Sequence, residues 1–105
     1  MIRKPAVAGK FYEENAASLK ADVSGFMKGG KSPSSRLAGF LAPHAGYAYS
    51  GAAAGAAFSC LKAADIDTLV IMATGHTMAL KKGALLSEGS FETPLGLVGI
   101  DSGFC

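Results

Sequence analysis

The chain contains two histidines, and each lies just past the end of an apolar run of the kind that forms buried strands. His44 follows the run at 36–42, which ends at Pro43, and His76 follows the run TLVIMA at 68–73. Imidazole binds transition metals and exchanges protons near neutral pH. Two histidines at equivalent positions therefore indicate one shared site, either a metal site or an acid–base pair. The alternative is that each is an ordinary solvated turn residue.

A shared site requires secondary-structure elements that bring the two histidines to the same edge of a sheet. Between the two runs, Ser50 is a suitable N-cap for a helix at about 51–64, which is rich in alanine and glycine. Strand, helix and strand with short connections predict a right-handed βαβ unit in which strands 36–42 and 68–73 are parallel. Both histidines then lie past the carboxyl ends of the strands, where open α/β sheets bind ligands.

Together with the rest of the chain, this unit predicts an α/β fold with a mixed sheet of the three-layer type. A helix is predicted at about 16–28, because its apolar residues recur at spacings of four and three. Asn15 is a plausible N-cap for that helix. Further strands are predicted at 83–87 and 95–100. One domain spanning the whole chain is the expectation for 105 residues.

Two histidines alone do not complete a metal site. They suit a facial two-histidine-one-carboxylate iron site or a tetrahedral zinc site, and either needs a further ligand. No third residue stands out, since Glu92 and Asp101 come late in the chain and Cys60 falls within the predicted helix. Tyr47 and Tyr49 are candidates to hydrogen-bond a ligand, or they simply cover the start of that helix.

The composition of the chain limits the kinds of molecule that it is expected to bind and the compartment in which it is expected. The net charge is +2 and the lysines are scattered, which argues against nucleic-acid binding. The longest apolar stretch, 51–61, is mostly alanine and glycine and is too short to span a bilayer, so no membrane association is expected. No signal peptide is visible, and two cysteines do not indicate a disulfide framework. We therefore expect a reducing, cytoplasmic location.

Four motifs resemble the Memo-like family, whose bacterial and archaeal members include system protein B, which accompanies a radical-SAM partner. They are PAVAGKFY at 5–12, APHAGYAYSG at 42–51, GH at 75–76 and FETPLG at 91–96. The resemblance implies a fold similar to the class III extradiol dioxygenases, which use non-haem iron(II) to open catechol rings. It also implies a possible radical-SAM partner protein.

The resemblance assigns roles to residues that lie in the matching motifs. His44 and His76 match the first two metal-site histidines, with iron(II) as the implied ion and copper or zinc as alternatives. Phe11 and Tyr49 match aromatic positions that line the pocket, to which Tyr47 is added from its place beside His44. Family members usually carry Gly-Pro-Ser-His where this chain has ATGH at 73–76, so His76 is kept within an altered loop.

Family members are well over twice as long as this chain, so we expect it to be the N-terminal part of a larger domain. Its sheet would then have an exposed edge, and self-association is expected. A metal-dependent oxygenase or redox activity is expected of the longer protein but not of these 105 residues alone. The alternatives are a non-catalytic module that binds a ligand or peptide, and an inactive truncated fragment.

Overall fold

A computed structural model describes residues 1–31, 37–61, 66–77 and 79–105 of the chain. Two α-helices and a small sheet make up its regular structure, and a 3₁₀ turn follows each helix. In chain order the elements are β1 Ile2–Arg3, α1 Ala16–Phe26, the 3₁₀ turn Met27–Gly29, α2 Tyr47–Phe58, the 3₁₀ turn Ser59–Leu61, β2 Ser90–Thr93 and β3 Gly96–Gly99.

The sheet is mixed and has the strand order β1-β2-β3. β1 runs parallel to β2, with Ile2 opposite Ser90, and β2 runs antiparallel to β3, with Phe91 opposite Val98. Lys4 and Glu92 form an ion pair of 2.5 Å beside the parallel pair. These observations confirm the predicted α/β class and its mixed sheet.

The structure contradicts the prediction that residues 36–42 and 68–73 form a pair of parallel strands. Residues 37–42 and 68–73 join no strand ladder in the described chain, and residue 36 lies outside it. Most of their large apolar side chains are open to solvent, with Leu41 95% and Met72 92% exposed, although Phe40 is half-buried against Phe58. A buried parallel strand needs hydrogen-bonded neighbours and covered faces, and these segments have neither among the described residues.

The expected helices are present, with shifted ends. The helix predicted at 16–28 ends at Phe26 and continues as a 3₁₀ turn. The helix predicted at 51–64 begins earlier, at Tyr47, and ends at Phe58, and residues 62–64 lie outside the described chain. The strand predicted at 95–100 is β3, whereas residues 83–87 form no strand. The side chain of Asn15 caps α1 as expected, accepting two backbone N–H bonds of 3.0 Å.

The two helices pack against each other, so the expected three-layer arrangement is absent from the described elements, in which no helix contacts a strand. Phe26 of α1 lies directly against Gly51 and Gly55 of α2. A Cβ added at Gly55 would stand 2.6 Å from the carbonyl oxygen of Phe26. The glycines of α2 are therefore explained by a close helix–helix contact. Leu19 of α1, at 4% exposed, is the one buried hydrophobic side chain among the described residues.

A pair of glycine substitutions tests this contact. We expect Gly55→Ala to lower the free energy of unfolding by about 1–3 kcal/mol, because the new methyl group meets backbone that cannot rotate away. Gly25→Ala is the matched control in α1, since a Cβ there meets nothing within 4 Å. The control should be neutral or stabilising by up to about 1 kcal/mol. Urea denaturation followed by circular dichroism measures both, and equal stability of the two variants would contradict the proposed packing.

Candidate functional site

The two histidines meet in space. The Nε2 atoms of His44 and His76 are 3.2 Å apart, and the two residues are separated by 32 positions in sequence. Their ring centroids are 5.2 Å apart and the ring planes are inclined at 42°. At this distance one Nε2 donates a hydrogen bond to the other, and the tautomers decide which is the donor. Both side chains are exposed, so their Nε2 atoms are open to solvent or to a ligand.

His44 is held by the turn that leads into α2. The hydroxyl of Ser50 donates a 2.9 Å hydrogen bond to the carbonyl of Ala45, one residue after His44. The N–H of Tyr47 donates a 2.7 Å hydrogen bond to the carbonyl of Phe11. A first-turn N–H of α2, which has no partner within the helix, is thereby satisfied by the N-terminal segment. These two bonds fix His44 relative to both α2 and Phe11.

The segment before His76, at 68–75, is held by a side-chain hydrogen bond and not by pairing with a strand. The hydroxyl of Thr68 donates a hydrogen bond to the carboxylate of Asp101, which also accepts a 3.0 Å bond from the N–H of Phe104. The Thr68 bond, followed by the backbone bond from Phe104, holds the pKa of Asp101 below its ordinary value. The segment that leads to His76 is thus attached to the C-terminal turn.

An apolar cavity of about 650 Å³ lies beside His44. It is enclosed by α1, α2 and the N-terminal segment, and His76 is absent from its lining. Its walls include Phe11, Phe26, Tyr47 and Phe58. His44 therefore belongs both to the histidine pair and to the rim of a cavity of the size that binds small molecules.

Phe11, Tyr47 and Tyr49 were predicted from the sequence to line a pocket, and they differ in whether they do so. Phe11 and Tyr47 line the cavity, whereas Tyr49 is 91% exposed and is absent from its lining. Sequence reasoning missed Tyr12 and Phe26, whose ring centroids lie 5.8 Å and 5.7 Å from that of Tyr47. The adjacent aromatics at 11–12 were the available signal, because they precede a helix that turns back onto them.

The described residues contain no group of three or more histidine, cysteine, aspartate or glutamate side chains able to hold a metal ion. Glu92 is paired with Lys4, and Asp101 is hydrogen-bonded to Thr68. The thiol of Cys60 lies 3.5 Å from the carbonyl of Lys31. The imidazoles of His44 and His76 are therefore joined by no third such side chain within the described residues.

Tyr47 provides a titration test of the aromatic cluster. Burial, and then the charges of Tyr12 and Asp22, raise the pKa of Tyr47 above 10.0. Its neutral form is favoured by folding, so that contribution to stability is present below about pH 10 and is lost as pH rises through the raised pKa. We expect wild type to lose unfolding free energy above about pH 10 more steeply than Tyr47→Phe. Tyr49→Phe is the exposed control and should follow wild type in urea denaturation across this range.

No helix of the described residues is long and apolar enough to cross a membrane.

Comparisons with known proteins converge on one family. The Memo-like protein family matches residues 3–105. A MEMO1 family protein of Methanothermobacter thermautotrophicus is 41% identical over 97% of this chain and 40% of its own length. Relatives from Thermoplasma volcanium and Nitrosopumilus maritimus are 38% and 32% identical, over 36% and 39% of their own lengths. The chain thus spans about two fifths of these relatives. No solved structure matches it.

Proposed function

The chain belongs to the Memo-like family, and on that premise we propose that His44 and His76 together bind one divalent transition-metal ion. The observation that supports this proposal is the 3.2 Å separation of their Nε2 atoms. Nitrogens that bind one ion at about 2.0–2.1 Å, at octahedral or tetrahedral angles, are roughly 2.8–3.4 Å apart. The donor set therefore fits a first-row transition metal. Iron(II) is the proposed ion, with copper or zinc as alternatives.

Residues of this chain would bind the proposed ion and form the walls of the cavity beside it. His44 and His76 would hold the ion through Nε2 as neutral imidazoles, each with its ring proton on Nδ1, so the hydrogen bond between the two Nε2 atoms would be replaced by the two metal bonds. Phe11 and Tyr47 wall the cavity beside His44 and keep water from a substrate held there. The ion, when bound, would supply Lewis-acid polarisation and, as iron or copper, redox chemistry. We propose that the further ligand comes from outside the described residues.

A non-catalytic binding module is the second candidate function. It is favoured because the described residues provide two clustered imidazoles and no third clustered donor, whereas the apolar cavity of about 650 Å³ is already formed. In this case the cavity would hold an apolar small molecule with no chemical change. Metal binding without oxygen uptake in the presence of catechols would favour this function over an oxygenase.

Calorimetry tests the metal site directly. We expect iron(II), added without oxygen, to bind wild type and to bind His44→Ala or His76→Ala at least tenfold more weakly, about 1.4 kcal/mol. Each variant removes one of the chain's two imidazoles. Tyr49→Phe is the control, because Tyr49 is exposed and leaves the pair untouched. Unchanged affinity in both histidine variants would rule out the shared site.

The edge of the sheet supports a further proposal, which is self-association of the chain. β3 has a partner on one side, it contains neither charge nor proline, and Leu97 and Val98 are each 59% exposed. Natural sheets usually protect such an edge with charged residues or proline. The free N–H and C=O groups of β3 are therefore available to pair with a second copy.

Sedimentation at increasing protein concentration tests this pairing. We expect the average mass of wild type to rise with concentration, and Val98→Lys to weaken association at least tenfold, because a lysine disfavours strand pairing at an edge. Leu85→Lys is the control, since Leu85 is 74% exposed and lies outside every strand of the described chain. Equal effects of the two lysines would mean that the edge is not the interface.

A further inference from the structure

A second cavity, of about 290 Å³, lies against the same aromatic residues and is separate from the histidine pair. Four aromatic side chains line it, together with two carboxylates and one ammonium group. The aromatic residues are Phe11, Tyr12, Phe26 and Tyr47. The charged residues are Glu13, Asp22 and Lys10. Neither His44 nor His76 contributes to the lining, although the same four aromatic residues also line the larger cavity beside His44.

We propose that this second cavity binds a small quaternary alkylammonium cation of about the size of choline. The electron-rich faces of aromatic rings attract cations, most strongly where water is excluded, and quaternary ammonium groups are bound in this way by cages of several rings. A quaternary ammonium has no N–H group, so it leaves no hydrogen bond unmade when it enters an aromatic cage. The lining of this cavity combines such rings with acidic groups.

Tyr12 and Phe26 pack against Tyr47 in tilted and edge-on contacts, and neither pair is stacked face to face. The planes of Tyr12 and Tyr47 are inclined at 42°, and those of Phe26 and Tyr47 at 88°. The volume of about 290 Å³ is at the lower end of the range for ligand pockets, roughly 300–1,000 Å³, so the ligand must be small.

The charges of the cavity favour a cation. Two carboxylates oppose one ammonium, and Asp22 is half-buried, where its charge is less screened than at the surface. Among the described residues, neither carboxylate is in an ion pair with a lysine or arginine. The charge of Asp22 contributes to the raised pKa of Tyr47, so its field reaches the phenol in the cavity wall.

The described chain does not fill the cage with a cation of its own. Lys10 lines the cavity, but its side chain is exposed. Within the described residues, the contact of a cation with an aromatic ring joins Arg3 to Phe91, in the sheet. No lysine or arginine of the described residues is therefore shown over an aromatic ring of this cavity.

Tyrosine fluorescence tests the proposal, because the chain has no tryptophan and three tyrosines. Two of these, Tyr12 and Tyr47, line the cavity, and Tyr49 is outside it. We expect choline to change the tyrosine emission of wild type in a saturable way. Its uncharged isostere, 3,3-dimethyl-1-butanol, should bind at least tenfold more weakly, because it has the same shape and no positive charge.

Two variants with opposite expected effects complete the test. Asp22→Asn should weaken choline binding about fivefold or more, and Lys10→Gln should strengthen it, because it removes the opposing charge from an exposed position. Tyr49→Phe should bind as wild type does. Lys10→Gln keeps the test decisive if Asp22→Asn fails to fold by circular dichroism. Equal binding of choline and its isostere, no saturable change, or weaker binding in Lys10→Gln would each overturn the proposal.

Discussion

The close contact of Phe26 with the glycine face of α2 is the constraint on which the rest of the helical region depends. The ring of Phe26 occupies the space that a side chain at 51 would fill, and its Cβ and backbone occupy the space at 55, so the two helix backbones approach closely. The same ring packs edge-on against Tyr47 at the start of α2 and lines both cavities. One side chain thus sets the helix spacing, the aromatic cluster and the walls of two pockets.

The N-terminal segment completes the site by contacting the beginning of α2. The carbonyl of Phe11 accepts the N–H of Tyr47, and Gly46 lies close enough that a Cβ would stand 3.4 Å from that carbonyl oxygen. His44 comes two residues before Gly46, so its position follows from this contact. His76 reaches the same place from a segment held by the Thr68–Asp101 hydrogen bond. The histidine pair therefore depends on local attachments and not on a shared sheet.

The sheet and the pair of helices pack separately from each other. The helices contact each other and the strands contact each other, but no helix contacts a strand within the described chain. The radius of gyration is 14.7 Å, against roughly 13 Å for a compact domain of this length. Apolar side chains at 69–72 and in β3 remain open to solvent as a result. The chain spans about two fifths of the length of its Memo-like relatives.

The sequence by itself determined the helices, the capping of α1 by Asn15, the Memo-like family and the two histidines as a pair, because these follow from spacing and local hydrogen bonding. It placed β3 approximately, but not β1 or β2, and it expected strands at 36–42 and 68–73. Whether an apolar run becomes a strand depends on distant partners, and those segments have none in the described chain. Only the tertiary structure brought the two Nε2 atoms to 3.2 Å and placed Tyr12, Phe26 and Asp22 around Tyr47. Those contacts join residues far apart in sequence, which periodicity cannot report.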